Sequence, residues 1–111
     1  MTVKELSDKL SLSVLCGDTD RTFTGVYVGD LLSWVMSRLT EDKVWITIMS
    51  NINVIAVASL ADAACVIFAE GVEPDADALE AAKTKGITLL QSSLDAYSLC
   101  VKISALTENS I

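Results

Sequence analysis

The 111-residue chain has no histidine, one proline, and only eight lysines and arginines against fifteen aspartates and glutamates. Without histidine it lacks both the commonest metal ligand and the usual general base, so a nucleophile would have to recruit a carboxylate or a lysine. No carboxylate or lysine stands at a recognisable spacing from a serine, threonine or cysteine. The three cysteines, Cys16, Cys65 and Cys100, are odd in number and far apart. Neither a disulfide framework nor a zinc or iron–sulfur ligand set can be built from them. They read as small apolar core residues in a reducing, cytoplasmic setting, and Asp18 and Asp20 close behind Cys16 disfavour its thiolate. The formal charge is −7, and the cations are scattered singly. No basic stripe exists to neutralise a phosphate backbone, so no nucleic-acid partner is expected.

Glycine is sparse as well. Its five copies form neither a GxxxxGK[ST] phosphate loop nor a GxGxxG turn, and Lys83-Thr84-Lys85-Gly86 reads as a helix end. Gly25 and Gly29 are isolated and mark tight strand geometry. The carboxylates Glu70, Glu73, Asp75 and Asp77 match no calcium loop and suit the first turn of a solvated helix, where the dipole favours them. No cofactor and no bound metal are therefore expected. The opening MTVKELSDKL has no apolar core of signal-peptide length.

Apolar side chains are abundant, at 51% of residues with a mean hydropathy of +0.48. That excess fits a sheet covered on both faces, with a subunit contact besides, and so predicts a homodimer. The run from Ile52 to Ala69 approaches the length of a membrane span. Asp62 interrupts it, and a buried helix followed by a buried strand accounts for it without a membrane.

Helix and strand patterns alternate along the chain. Thr2 and Glu5 form a capping box for a helix over Val3–Leu10, and a short strand follows over Ser13–Cys16. Gly25–Val28 and Lys43–Met49 read as strands, the latter nearly continuous in apolar and β-branched residues. A helix capped by Asp30 runs to about Leu39, and Ser50-Asn51 caps another over Ile52–Ala61. Ala64–Ala69 is a buried strand. Pro74-Asp75 then starts a helix that reaches Lys85 and stops at Gly86. Ile87–Leu90 forms the last strand, and Ser92 or Ser93 caps a final helix from Leu94 to about Leu106. The expected fold is α/β: a single three-layer domain over residues 1–106, whose mainly parallel sheet of about five strands is flanked by helices, with a frayed tail over 107–111.

Open parallel sheets bind ligands where the loops after the strands collect. Gly29-Asp30, Ser50 to Asn53, Glu70 to Glu73 and Gln91-Ser92-Ser93 are placed there, with Asp30, Ser50, Asn51, Asn53, Glu70 and Gly71 as the candidate ligand contacts. Ser50-Asn51 offers helix N-terminal amides for an anion, although the carboxylates of Asp30, Glu70 and Glu73 would repel one unless Arg21 or a metal intervened. Two roles stay open for the loop Asp20-Arg21-Thr22-Phe23-Thr24-Gly25. Arg21 either fixes the turn by pairing with Asp18, Asp20 or carbonyls, with Thr22 and Thr24 satisfying backbone groups before Gly25, or it aims its fork at a ligand.

Together with Val28-Gly29-Asp30-Leu31-Leu32-Ser33, Trp45-Ile46-Thr47, Asn51 to Ala58 and Glu70-Gly71-Val72, that loop resembles the DRTGG domain, itself similar to the N-terminal domain of HPr kinase/phosphorylase. Nearly the whole chain is covered. Val26 stands where the family name has a second glycine, which removes close backbone approach at that position. The resemblance implies a non-catalytic regulatory or dimerisation module, found beside CBS domains in some pyrophosphatases, with small-molecule sensing at the strand ends. It supplies neither a P-loop nor an established ligand. Two other readings remain: an adenine-nucleotide or anion sensor using Arg21, Asp30, Ser50 and Asn51, and an acid–base or metal-dependent enzyme on Asp30 and Glu70. A protein partner is compatible with the first of the three.

Overall fold

The computed structural model describes residues 1–108. Helix α1 (Val3–Leu10) starts at the predicted capping box: the Glu5 N–H donates to the Thr2 hydroxyl and the Thr2 N–H to the Glu5 carboxylate, each at 3.1 Å. It ends at Ser11, left-handed at φ 54°, where the N–H groups of Ser11 and Leu12 both return to the Ser7 carbonyl and turn the chain into β1 (Ser13–Cys16). There follow β2 (Gly25–Val28), α2 (Leu32–Arg38), β3 (Lys43–Thr47), α3 (Ile52–Ala61), β4 (Cys65–Phe68), α4 (Ala76–Lys85), β5 (Leu89–Gln91) and α5 (Ala96–Thr107).

The sheet order is β1-β5-β4-β3-β2, with β2 to β5 parallel and β1 antiparallel against β5. Alternation along the strands decides what covers each face. Val44, Ile46, Cys65 and Ile67 point to one side, where they meet Val3 and Leu6 of α1 and Leu99 and Ile103 of α5. Trp45, Val66 and Phe68 point to the other, against Val35 of α2, Val54 and Ile55 of α3, and Ala78 and Ala82 of α4. The result is the expected three-layer, mainly parallel α/β domain. Phe23, Trp45 and Phe68 are fully buried, each contributing about 2–3 kcal/mol of transfer free energy. The indole N–H of Trp45 donates to the Gly29 carbonyl at 3.0 Å, so no donor is stranded in the core.

Several boundaries differ from the sequence reading, each for a hydrogen-bonding reason. Asp30 is not a cap: α2 begins after Leu31 without a side-chain cap bond, because the Asp30 carboxylate is taken by the Thr47 hydroxyl and the Ile48 N–H. The same contacts end β3 at Thr47 rather than Met49, whose N–H turns back to the Thr47 hydroxyl. Strand β5 starts at Leu89 rather than Ile87, since the Ile87 N–H closes α4 on the Ala82 carbonyl beyond left-handed Gly86. The cap of α5 is Asp95, which accepts from the Ser98 N–H, while the Ser92 hydroxyl accepts from the Leu94 N–H one turn earlier. Thr107 is the last residue of α5; of the predicted tail, residues 109–111 lie outside the described ones. Among the described residues no helix is long and apolar enough to cross a membrane.

Candidate functional site

The loops that follow β2, β3, β4 and β5 share the C-terminal rim of the sheet, and most of the predicted site residues lie on them. Asp30 Oδ1 accepts from Thr47 Oγ1 at 2.8 Å and from the Ile48 N–H at 3.0 Å, tying the loop after β2 to the end of β3. Ser50 Oγ donates to Asp75 Oδ1 at 3.0 Å, and the Asp75 N–H returns to the Ser50 carbonyl at 2.9 Å. Asn51 caps α3 by accepting from the Asn53 N–H at 2.9 Å, and Asn53 itself is exposed. Glu70 and Gly71 are both left-handed, with φ 59° and 71°. Their N–H groups donate to the Leu94 and Ser92 carbonyls at 2.8 and 2.7 Å. The amides of Asn53, Glu70 and Gly71 and the hydroxyl of Ser50 are thus engaged within the protein.

Arg21, Thr24 and Gly25 stand elsewhere. Arg21 and Thr24 precede β2 and Gly25 begins it, so they lie at the N-terminal edge of the parallel strands, opposite the rim that holds Asp30, Ser50, Asn51, Asn53, Glu70 and Gly71. Arg21 pairs there with neither Asp18 nor Asp20. Its Nε and Nη2 donate to Asp42 Oδ1 at 2.9 and 2.7 Å, its Nη1 to Asp62 Oδ1 at 2.9 Å, and its Nη2 also to the Asp62 carbonyl at 2.7 Å. Hydrogen bonding to Asp62, with that to Asp42 behind it, raises the guanidinium's already high pKa. Thr24 donates its N–H to the Asp42 carbonyl, and the Lys43 ammonium bonds the Thr24 carbonyl beside Gly25. Val26 lies within β2, paired with Val44 and packed against the α1/α5 core.

The three crossover helices of the parallel strands lie on one face of the sheet, and the chain changes sides with α5, after β5. Helices α2, α3 and α4 cover one face and α5 the other, so the chain leaves β4 and β5 in opposite directions. At such a switch point the exits diverge and open a crevice. An open cleft of about 600 Å³ lies there. One wall is Gly71 and Glu73 from the loop after β4, and another is Gln91, Ser92 and Ser93 from the end of β5. A third wall, Ser11 and Ser13, comes from the α1–β1 corner, which reaches this rim because β1 runs antiparallel and sets Ser13 opposite Gln91.

Sequence reasoning missed that third wall. The signal was available: residues 17–24, between β1 and β2, hold no helix and are too few for a parallel crossover. A second hollow of about 320 Å³ sits away from the rim, between Val26 and the Cys100–Thr107 side of α5.

The thiols offer no nucleophile at neutral pH. Complete burial pushes the Cys65 pKa up to about 12, and partial burial raises those of Cys16 and Cys100. Asp95 is held below the usual carboxylate range by the bonds it accepts from Ser98. Among the described residues no group of three or more His, Cys, Asp or Glu side chains is placed to hold a metal ion.

The family profile of the DRTGG domain matches residues 4–106. No curated protein matches the chain. Among solved structures, it is similar to the crystal structure of the CBS and DRTGG domains of the regulatory region of Clostridium perfringens pyrophosphatase, complexed with the activator diadenosine tetraphosphate. The TM-score is 0.70 at 15% identity, over 90% of this chain and 44% of that one. The likeness is one of fold, and the chain spans less than half the length of that regulatory region.

Proposed function

Because the chain belongs to the DRTGG domain family, we propose that it is a non-catalytic regulatory module that senses a small molecule at the C-terminal rim and acts as a homodimer. The observation that carries this reading is the polar cleft at the switch point between β4 and β5. Its two loops are already bonded to each other through Glu70, Gly71, Ser92 and Leu94, so a ligand would meet preformed walls and spend little on ordering them. A change there would pass directly to α4 on one face of the sheet and α5 on the other.

The association half rests on surface chemistry. Leu31 and Trp34 are 60% and 56% exposed, and Val28, on the edge strand β2, and Ile48, just past β3, are also open to solvent. That is a large apolar allowance for a chain of this size.

A nucleotide sensor is the second reading, favoured by the activator bound to the similar pyrophosphatase region. The carboxylates of Asp30, Glu70, Glu73 and Asp75 on the loops after β2 and β4 weigh against a bare phosphate on this rim. Thermal-shift screening of the full chain tests both readings: a true ligand raises the melting temperature progressively with its concentration. If no nucleotide, organic acid or sugar does so, only the association role survives.

A further inference from the structure

We infer, resting on the sensing reading above, that the switch-point cleft takes an uncharged vicinal diol, as in a free sugar or the ribose end of a nucleoside, and rejects phosphate. The hydrogen-bonding groups still open in the cleft are mostly acceptors and hydroxyls. Gln91 donates both ways from its amide nitrogen, to the Gly71 carbonyl at 3.1 Å and the Val72 carbonyl at 3.0 Å. That assignment leaves its Oε1 as the only open end, an acceptor. Glu73, on the facing loop, adds a second acceptor and is exposed.

Phosphate needs the reverse. Its usual partners at a strand end are backbone N–H groups and cations. Here the N–H groups of Glu70 and Gly71 are taken by the Leu94 and Ser92 carbonyls. Those of Leu94 and Ser98 are taken by Ser92 Oγ and Asp95. Among the lining residues none is a lysine or arginine, and the one charge is the carboxylate of Glu73. An anion would therefore meet a carboxylate with no cation to offset it, beside amides of Glu70, Gly71 and Leu94 that are already engaged.

Hydroxyl groups match what remains. A carboxylate and an amide oxygen accept from two neighbouring hydroxyls of one molecule, while the hydroxyls of Ser11, Ser13 and Ser93 both donate and accept. Ser92 Oγ accepts from the Leu94 N–H at 3.0 Å, which leaves its proton to donate. Leu10 and Leu94 flank these groups and suit the C–H face of a sugar ring.

The experiment titrates the full isotope-labelled chain with D-ribose, adenosine, 2′,3′-dideoxyadenosine, ATP and inorganic phosphate, and follows amide resonances by NMR. The expected result is saturable movement of the Gly71, Gln91 and Ser93 resonances with ribose or adenosine. The dideoxy analogue should bind about tenfold more weakly, and inorganic phosphate should cause no movement. Ribose alone against adenosine alone separates the sugar source from the nucleoside source. Ser13→Ala and Glu73→Ala, both exposed positions, should weaken binding about fivefold each with dispersed spectra unchanged. Equal affinity for the dideoxy analogue, saturable binding of inorganic phosphate at these resonances, or tighter binding of ATP than of adenosine overturns the diol assignment while leaving the sensing role standing. If none of the five probes moves the cleft resonances, the diol assignment falls, and the thermal-shift screen decides the sensing reading separately.

Discussion

Arg21 Nη1 lies 2.9 Å from Asp62 Oδ1, across 41 positions of sequence, while the same guanidinium holds Asp42 with its other two nitrogens. Asp42 and Asp62 both sit in left-handed backbone, at φ 64° and 58°, just before β3 and β4. Aspartate is among the few residues that tolerate that region. One side chain thus pins two unfavourable turns and the loop that enters β2.

Arg21→Ala is therefore expected to lower stability by about 1–2 kcal/mol, a figure kept small because the pair is partly solvated. Lysine should recover little of it, since a single ammonium cannot replace a fork that reaches Asp42 and Asp62 together. Urea denaturation of the three proteins checks this. Full recovery by Arg21→Lys would show that charge alone matters, and would remove the clamp.

Gly17 is a sharper constraint. Its φ is +94°, and a Cβ added there would lie 2.5 Å from the Thr88 Cα. Thr88 cannot retreat easily, because its hydroxyl donates to the Asp18 carbonyl at 2.6 Å and its carbonyl accepts from the Val66 N–H. Gly17→Ala should cost about 3 kcal/mol from strain and overpacking combined. Gly86→Ala, also left-handed but facing open space, should cost only about 1 kcal/mol. Thermal melts of the two variants compare them directly, and equal losses would mean that the contact with Thr88 contributes nothing.

Much of this architecture was legible from residue patterns because the central strands are buried on both faces. Lys43 to Thr47 and Cys65 to Phe68 carry runs that only a two-sided sheet can hide, and the helices between them follow from their caps and stops. Thr2 with Glu5, Asn51 and Gly86 all act as the sequence implies, because each serves a neighbour within four residues. The misplaced features depend on partners far along the chain. Asp30 looks like a cap from its position before Leu31 and is instead claimed by Thr47, 17 residues away. Arg21 looks local and pairs with Asp42 and Asp62. Two walls of the cleft were visible, since Gly71, Glu73 and Gln91 to Ser93 follow strands, but Ser11 and Ser13 reach it only through the antiparallel placement of β1, which no local pattern encodes.

Acid should loosen the two best helix starts. Glu5 and Asp95 titrate below their ordinary values of 4.5 and 3.8 because each accepts hydrogen bonds at the start of its helix, Glu5 from Thr2 and Asp95 from Ser98. A carboxylate whose pKa is depressed by folding stabilises the fold fully above its unfolded pKa, and that contribution is lost as pH falls through the folded value. Stability should therefore be flat near neutrality and decline below about pH 4. Glu5→Gln and Asp95→Asn should each flatten part of that decline. Unchanged acid sensitivity in the double variant would assign it to other carboxylates.

The last prediction concerns association. β2 is an edge strand of four residues with one free side, and an unpaired edge invites another strand. A two-fold axis can pair it only with itself in antiparallel fashion, which would place Leu31 and Trp34 of each copy near the junction. The guanidinium of Arg38 stacks over Trp34, 4.1 Å from the ring centroid. Burying such a face suits an interface core, in which tryptophan and arginine are the residues that most often dominate binding. Trp34→Glu would put a carboxylate at that junction on both copies and should shift the solution mass from twice 11.8 kDa toward 11.8 kDa. Leu60→Glu, at a residue 75% exposed near the end of α3 and remote from β2, should leave the mass unchanged. Light scattering at micromolar concentration distinguishes the cases. A monomeric parent protein would eliminate the homodimer, and a dimer insensitive to Trp34→Glu would move the interface to another face.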